Sequence, residues 1–188
     1  MQSLFPQEPI YPSGFTYVPD FITAKEETAL VDLISNIPLH TFIFQGYEAK
    51  RKVASFGYDY SFEKRDLTKG QEVPEEFRWL IDKVNAKLSA THDFAELLLT
   101  EYPTGSVINW HRDAPPFDII VGISLLTDCT FRLRPHEKIK QTRKSLISIT
   151  LQRRSLYVIQ AEARSNWQHS ILPVTSLRYS ITLRTLRK

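Results

Sequence analysis

The sequence predicts an α+β fold in which helices pack on a closed or double-layered β-sheet, and three observations support this. Two amphipathic helical stretches fall in the first half of the chain. After Ala90 the chain breaks into short runs of strand character. The 188 residues show no internal repeat, low-complexity stretch or interdomain linker, so 1–188 is expected to be a single domain with a real core.

The first helix is expected over residues 23–36. Thr23 and Glu26 have the spacing of a capping box, and Leu30, Leu33, Ile34 and Ile37 form its apolar stripe. Pro74 opens the second helix, with Phe77, Leu80, Ile81, Val84 and Leu88 facing inward. Between them, residues 41–60 read as strand, with Gly46 and Gly57 marking turns or bulges. The later strands are expected at about 94–102, 107–113, 118–126, 130–134, 145–151, 155–160 and 178–186.

Composition narrows the setting. A single cysteine, Cys129, excludes a disulfide framework, suits a reducing cytoplasm and reads as a small buried hydrophobe. The first fifteen residues lack the basic start and apolar run of a secretory signal, and no segment is long enough to span a bilayer. A soluble cytoplasmic protein is therefore expected. The net charge of +3 is unevenly placed. Arg132, Arg134, Lys138, Lys140, Arg143 and Lys144 form one cluster; Lys50, Arg51 and Lys52 form a second, flanked by Phe44, Tyr47, Phe56, Tyr58 and Tyr60. Basic groups attract phosphate and aromatic rings give bases a stacking surface, although a solvated face accounts for a charge run equally well.

The most informative residues are His111, Asp113, His169, Arg178 and Arg184. Two histidines and a carboxylate can occupy one face of an octahedral ferrous ion and leave the other positions open. Residues i and i+2 of a strand share a face, so His111 and Asp113 can reach one ion while Trp110 and Arg112 point away. Pro115 and Pro116 then end the extended run. In the last strand, Arg178, Ser180, Thr182 and Arg184 share one face, and Tyr179, Ile181 and Leu183 the other. The two arginine backbones are roughly 20 Å apart, so long side chains leaning together could hold a short dicarboxylic acid. A half-buried strand with a basic outer face is the plainer reading of that strand taken alone.

From about Gly14 to Arg187 the chain resembles the AlkB family of iron(II)/2-oxoglutarate-dependent dioxygenases. The resemblance is carried by the Tyr-Pro-Thr-Gly run at Tyr102, by His111 and Asp113, by His169, and by the segment from Arg178 to Arg184. It implies a double-stranded β-helix (jelly roll) core with the N-terminal helices packed on one sheet and a β-rich nucleotide-recognition lid at about 41–62. It makes His111, Asp113 and His169 the catalytic iron ligands. Tyr102, Thr100, Arg178, Ser180 and Arg184 would hold 2-oxoglutarate, with Arg178 on its distal carboxylate and Arg184 near its keto-acid end, where it also orients Asp113. Lys50, Arg51, Lys52, Tyr58, Tyr60 and Arg112 would contact nucleic acid.

The implied cofactor is Fe(2+), with 2-oxoglutarate and O2 as cosubstrates. The implied reaction is oxidative demethylation of alkylated single-stranded DNA or RNA by a monomer, in DNA repair or RNA demethylation. The alternatives are a hydroxylase or demethylase of a protein side chain or small molecule, and a non-catalytic nucleic-acid-binding module on the same fold. Three positions depart from the best-known repair members: Pro115 replaces an acidic residue that contacts the base, and Thr100 and Ser180 replace asparagines. Hydroxyls can still bond a carboxylate, so the cosubstrate site is expected to survive, while the resemblance specifies base selection less closely. His40, His92 and His136 lie outside the motif and are expected to be solvent-facing or structural.

Overall fold

A computed structural model describes residues 11–44, 46–61 and 64–188. The first ten residues read for a leader, residues 45 and 62 of the expected lid, and the side chain of Phe44 lie outside the described residues. Among the described residues no helix is long and apolar enough to cross a membrane.

The jelly roll follows from how the later strands pair. β5 (Phe94–Tyr102), β7 (Phe117–Leu125), β10 (Leu156–Ile159) and β12 (Arg178–Leu186) lie in one sheet. β6 (Ile108–His111), β8 (Cys129–Pro135), β9 (Ile147–Leu151) and β11 (Trp167–Ile171) form the other, in the order β6-β11-β8-β9. The larger sheet is extended by β1 (Phe15–Val18) beside β10, and by β2 (His40–Phe44) and β3 (Tyr47–Ser61) beyond β5, in the order β1-β10-β7-β12-β5-β3-β2. β4 (Asp66–Lys69) pairs with the far end of β3.

Two cores result. One lies between the sheets, around Phe117, Phe131, Leu133, Leu151 and Ile171. The other lies under the helices α1 (Ala24–Ser35) and α2 (Arg78–Leu88), where Leu30, Ile34, Leu80 and Val84 meet Leu97, Leu99, Ile181 and Leu183. The alternation predicted for β12 is what separates them: its Tyr179, Ile181 and Leu183 serve the helix-side core.

Local chemistry sets the boundaries. The capping box of α1 is present: the Thr23 hydroxyl accepts from the Glu26 N–H at 3.2 Å, and the Glu26 carboxylate accepts from the Thr23 N–H at 2.7 Å. A 3-10 turn, Glu75–Phe77, follows Pro74 and leads into α2. At Gly57 the chain has φ +83, and a Cβ there would fall 2.1 Å from the Ala95 carbonyl oxygen, so only glycine fits. This is where β3 stops pairing with β5 and turns to β4.

β5 and β12 match their predicted ranges. The strand expected over 107–113 stops at His111, so Asp113 stands on the loop beyond it, and the shared-strand-face argument does not hold for that pair. β1, β4, α3 (Ala161–Ser165) and β11, of four, four, five and five residues, have no range in the sequence reading because they are too short to display a period.

Candidate metal and cosubstrate centre

His111 and His169 face each other across the β6–β11 pair, with ring centroids 4.2 Å apart. The register shifts there: three residue steps on β6, from His111 to Ile108, oppose two on β11, from His169 to Ile171. Asp113 approaches from the loop, and the ligand atoms of all three residues lie within 4.8 Å of one another. His111 Nδ1 lies 2.8 Å from the Asn109 carbonyl oxygen; a proton on Nδ1 satisfies that carbonyl and leaves Nε2 as the ligand atom.

Burial, reinforced by the neighbouring His111, pushes His169 down to about 3, against a smaller upward pull from Asp113. His169 is therefore neutral near pH 7. Its 3.5 Å approach to Asp113 Oδ2 is not an ion pair but two donors aimed at one centre.

Asp113 is held well below the usual carboxylate range. Burial, the largest single effect, works to raise it, but the Arg184 guanidinium together with His169, His111 and Arg164 outweighs that. Arg184 donates from two nitrogens to Asp113 Oδ1, at 3.0 and 2.7 Å, and from the third to the buried carboxylate of Glu96. Glu96 also accepts from the Ser55 hydroxyl at 3.3 Å. Arg164 fixes the loop itself, donating to the carbonyls of Asp113, Ala114 and Phe117 at 3.2, 2.8 and 2.8 Å. That clamp is how Asp113 reaches the histidines without being on their sheet. Its Oδ2 is left buried with no hydrogen-bond partner.

Arg178 differs. It is 1% exposed, donates from Nε to Ser124 Oγ at 3.1 Å and lies over the Tyr102 ring at 4.8 Å. One terminal nitrogen is buried with no partner, and among the described residues no carboxylate pairs with this guanidinium. Tyr102, Thr100 and Ser180 are buried beside it, with Arg178 opposite Tyr102 and Ser180 opposite Thr100 in the β12–β5 register. The Ser180 and Tyr102 hydroxyls are 3.5 Å apart.

These two orphaned atoms test the fit. A ferrous ion would answer Asp113 Oδ2 and the free imidazole nitrogens, and an acid's carboxylate would answer Arg178. The expectation that both arginines grip the diacid is corrected for Arg184, whose nitrogens are taken by Asp113 and Glu96; its other expected task, orienting Asp113, is what the geometry shows. Glu96 and Arg164 were not singled out by sequence reasoning. Glu96 had a signal, since it shares an alternating face of β5 with Thr100 and Tyr102 and is a charge in an inward-facing set. Arg164 had none, because its partners are backbone carbonyls.

Of the expected nucleic-acid contacts, Arg51 stacks over Phe42 at 3.9 Å, and Lys50 Nζ would lie 3.3 Å from a Cβ at Gly105, just past the Tyr102 strand. Tyr60 packs with Leu67 against the inter-sheet core. Tyr58 is half-buried opposite Lys69. Arg112 is exposed and donates to the Ser165 carbonyl at 2.7 Å. Lys52 does not join them: it pairs at 3.2 Å with Glu101, which accepts from Tyr179 on the helix side of the sheet. His40 and His136 are exposed, His92 is half-buried, and Cys129 is buried.

An iron-type ligand set and a buried guanidinium with one unpartnered nitrogen, inside a jelly roll, define a class: oxygenases that use iron(II), 2-oxoglutarate and dioxygen. The description "2OG-Fe(II) oxygenase superfamily" matches this chain over residues 14–184, and the chain belongs to that superfamily. It is 25% identical over 169 residues to the Mus musculus tRNA (carboxymethyluridine(34)-5-O)-methyltransferase ALKBH8; the match covers 86% of this chain but only 24% of the mouse protein. It is 24% identical over 165 residues to the uncharacterized protein L905 of Acanthamoeba polyphaga mimivirus, covering 86% of this chain and 74% of that one. Among solved structures it resembles OsALKBH1, with a TM-score of 0.69 at 12% identity over 96% of this chain and 100% of the other. It also resembles a Trichoplax adhaerens prolyl hydroxylase, solved with a hypoxia inducible factor peptide fragment, with a TM-score of 0.65 at 16% identity over 92% and 83%. These two likenesses are of fold. The resemblance to the AlkB family is thus in keeping with the curated mouse relative, and the fold with OsALKBH1.

Proposed function

We propose that this oxygenase oxidatively demethylates alkylated bases, such as 1-methyladenine or 3-methylcytosine, in single-stranded DNA or RNA, acting as a cytoplasmic monomer. The observation that carries the reading is the β2–β3 hairpin, whose Arg51–Phe42 stack and Lys50 stand beside the strand and turn that bear Tyr102 and Gly105. A cation on an aromatic ring next to the cosubstrate wall suits a flipped base and its phosphate. The mouse relative, whose name gives it a tRNA substrate, supports the same substrate class.

When bound, iron(II) with 2-oxoglutarate and dioxygen supplies the oxidation that converts an N-methyl group to N-hydroxymethyl, with succinate and CO2 as coproducts; the hydroxymethyl then leaves as formaldehyde. The chain's part is to hold and orient. His111, Asp113 and His169 would present three donors on one side. Arg184, steadied by Glu96, keeps Asp113 ionised and turned inward. Arg178 would take the distal carboxylate, with the Tyr102 and Ser180 hydroxyls beside it. Pro115, where repair members carry a base-contacting acid, leaves base choice to other residues.

The test is a panel of methylated oligonucleotides screened by mass for loss of one methyl, with succinate followed in parallel. Turnover on oligonucleotides is the expected result. Turnover on peptides alone would replace the reading with a protein side-chain oxygenase, and a chain that binds no iron would be a non-catalytic binding module.

A further inference from the structure

The outer face of the four-stranded sheet carries chemistry that the iron centre does not use. His111 and His169 point between the sheets, so their strand neighbours Trp110, Gln168 and Ser170 belong to the opposite face, where Arg132 and Arg134 on β8 stand opposite Ser170 and Gln168. Both arginines reach across β11 to the same indole: their guanidinium carbons lie 4.7 and 4.3 Å from the Trp110 ring centroid. Each is also fixed at one edge, Arg132 Nε donating to Ser170 Oγ at 3.1 Å and Arg134 Nε to Gln168 Oε1 at 2.8 Å.

This leaves two flat, pre-oriented guanidiniums whose terminal nitrogens have no hydrogen bond or ion pair among the described residues. Arg134 is lowered by partial burial and by the like charge of Arg132, so the pair sits in mutual repulsion without a counter-charge. A cover for Trp110 would need one such side chain, not two. Beyond β8 the chain adds Lys138, Arg143 and Lys144, all exposed, while the nearby Glu137 is already paired with Lys140 at 2.9 Å.

We propose that this face, centred on Arg132 and Arg134 over Trp110, binds the phosphodiester backbone of a single-stranded nucleic acid outside the iron centre. Guanidinium forks match phosphate geometry, and a spread of positive charge running from a sheet face into a loop fits a long polyanion rather than one carboxylate. Because the arginines already occupy the indole, the contact reads phosphate and not base, so it is independent of sequence. The same strand, β6, thus carries an iron ligand on one face and the anchor of a substrate track on the other. The inference rests on the nucleic-acid reading proposed above.

The experiment uses the full chain and the double variant Arg132→Gln/Arg134→Gln, which removes both charges and leaves a shorter polar amide at each position. Affinity for an unmodified oligo(dT) is measured by fluorescence anisotropy over a salt series. Each lost phosphate contact on a single strand reduces the slope of log K against log salt by about 0.7, so a fall of about 1.4 is expected. Thermal stabilisation by Mn(II) plus 2-oxoglutarate should be unchanged, showing that fold and centre survive. If that signal is lost, Arg134→Gln alone, with an expected fall of about 0.7, decides.

An unchanged slope overturns the inference, and if the wild type still demethylates oligonucleotides the proposed function stands. Loss of binding to phosphatidylserine vesicles with oligonucleotide binding intact also overturns it. Arginine-dependent oligo(dT) binding by a protein that turns over no methylated oligonucleotide supports the surface and sinks the substrate reading instead.

Discussion

The arginines of β12 and the basic residues of β3 lie in the same sheet but answer to different physics. Arg178 and Arg184 are shut into the space between the sheets, where an unpaired charge costs several kcal/mol. All three nitrogens of Arg184 are answered, whereas one of Arg178 is not. That single shortfall is one that an anionic ligand would answer. On β3, Arg51 rests on Phe42, and Lys52 keeps 49% of its side chain in solvent while paired with Glu101. Water can satisfy such groups, so their positions constrain a ligand far less. The reaction centre is for this reason more tightly determined by structure than the substrate.

The largest effects should come from the ligand trio. Asp113→Ala removes a donor and deprives Arg184 of one of its two carboxylate partners, so iron binding and turnover should both be lost; His111→Ala should do the same while leaving the far-UV circular dichroism native. Retained turnover in either would break the assignment. Next come the two arginines, which should separate. Arg178→Ala should weaken 2-oxoglutarate about ten- to a hundredfold, as for a lost hydrogen bond to a charged group, and spare iron. Arg184→Ala should instead weaken iron, by loosening Asp113. If both variants lose 2-oxoglutarate equally with iron unaffected, the contrast drawn along β12 is wrong.

The partner of Arg184 gives a third measure. Glu96→Ala strands a buried guanidinium nitrogen and should cost about 3 kcal/mol in urea unfolding, with Glu96→Gln intermediate. No loss on removing Glu96 would mean that Asp113 alone holds the arginine.

Glu96 also shows where sequence reading stops. His111, Arg178 and Arg184 were legible from residue type and alternation, His169 from the family resemblance alone, and β5 and β12 were legible over their full length from their strand pattern. Asp113 was legible as a donor but not as a loop residue. What brings it round is Arg164 on a five-residue helix, bonding to carbonyls, and carbonyls are identical at every position. The hairpin was legible as strand and as basic, yet which way each cation faces depends on register with β5. Lys52 opposes Glu101 and goes to the helix side.

That register supplies the smallest and most discriminating prediction. Lys52 and Arg51 are adjacent and carry the same charge, so a reading by charge alone expects similar losses in both. The structure expects a difference. Lys52→Ala breaks a half-exposed ion pair, worth at most about 1 kcal/mol of stability, and should leave oligonucleotide affinity within about twofold. Arg51→Ala removes the cation stacked on Phe42, and should lower oligonucleotide affinity and flatten its salt dependence. Anisotropy titrations of the two variants at matched salt compare them directly. Equal losses would mean that the hairpin acts as a diffuse positive surface, and the face on which each side chain lies would then carry no information about where a substrate strand runs.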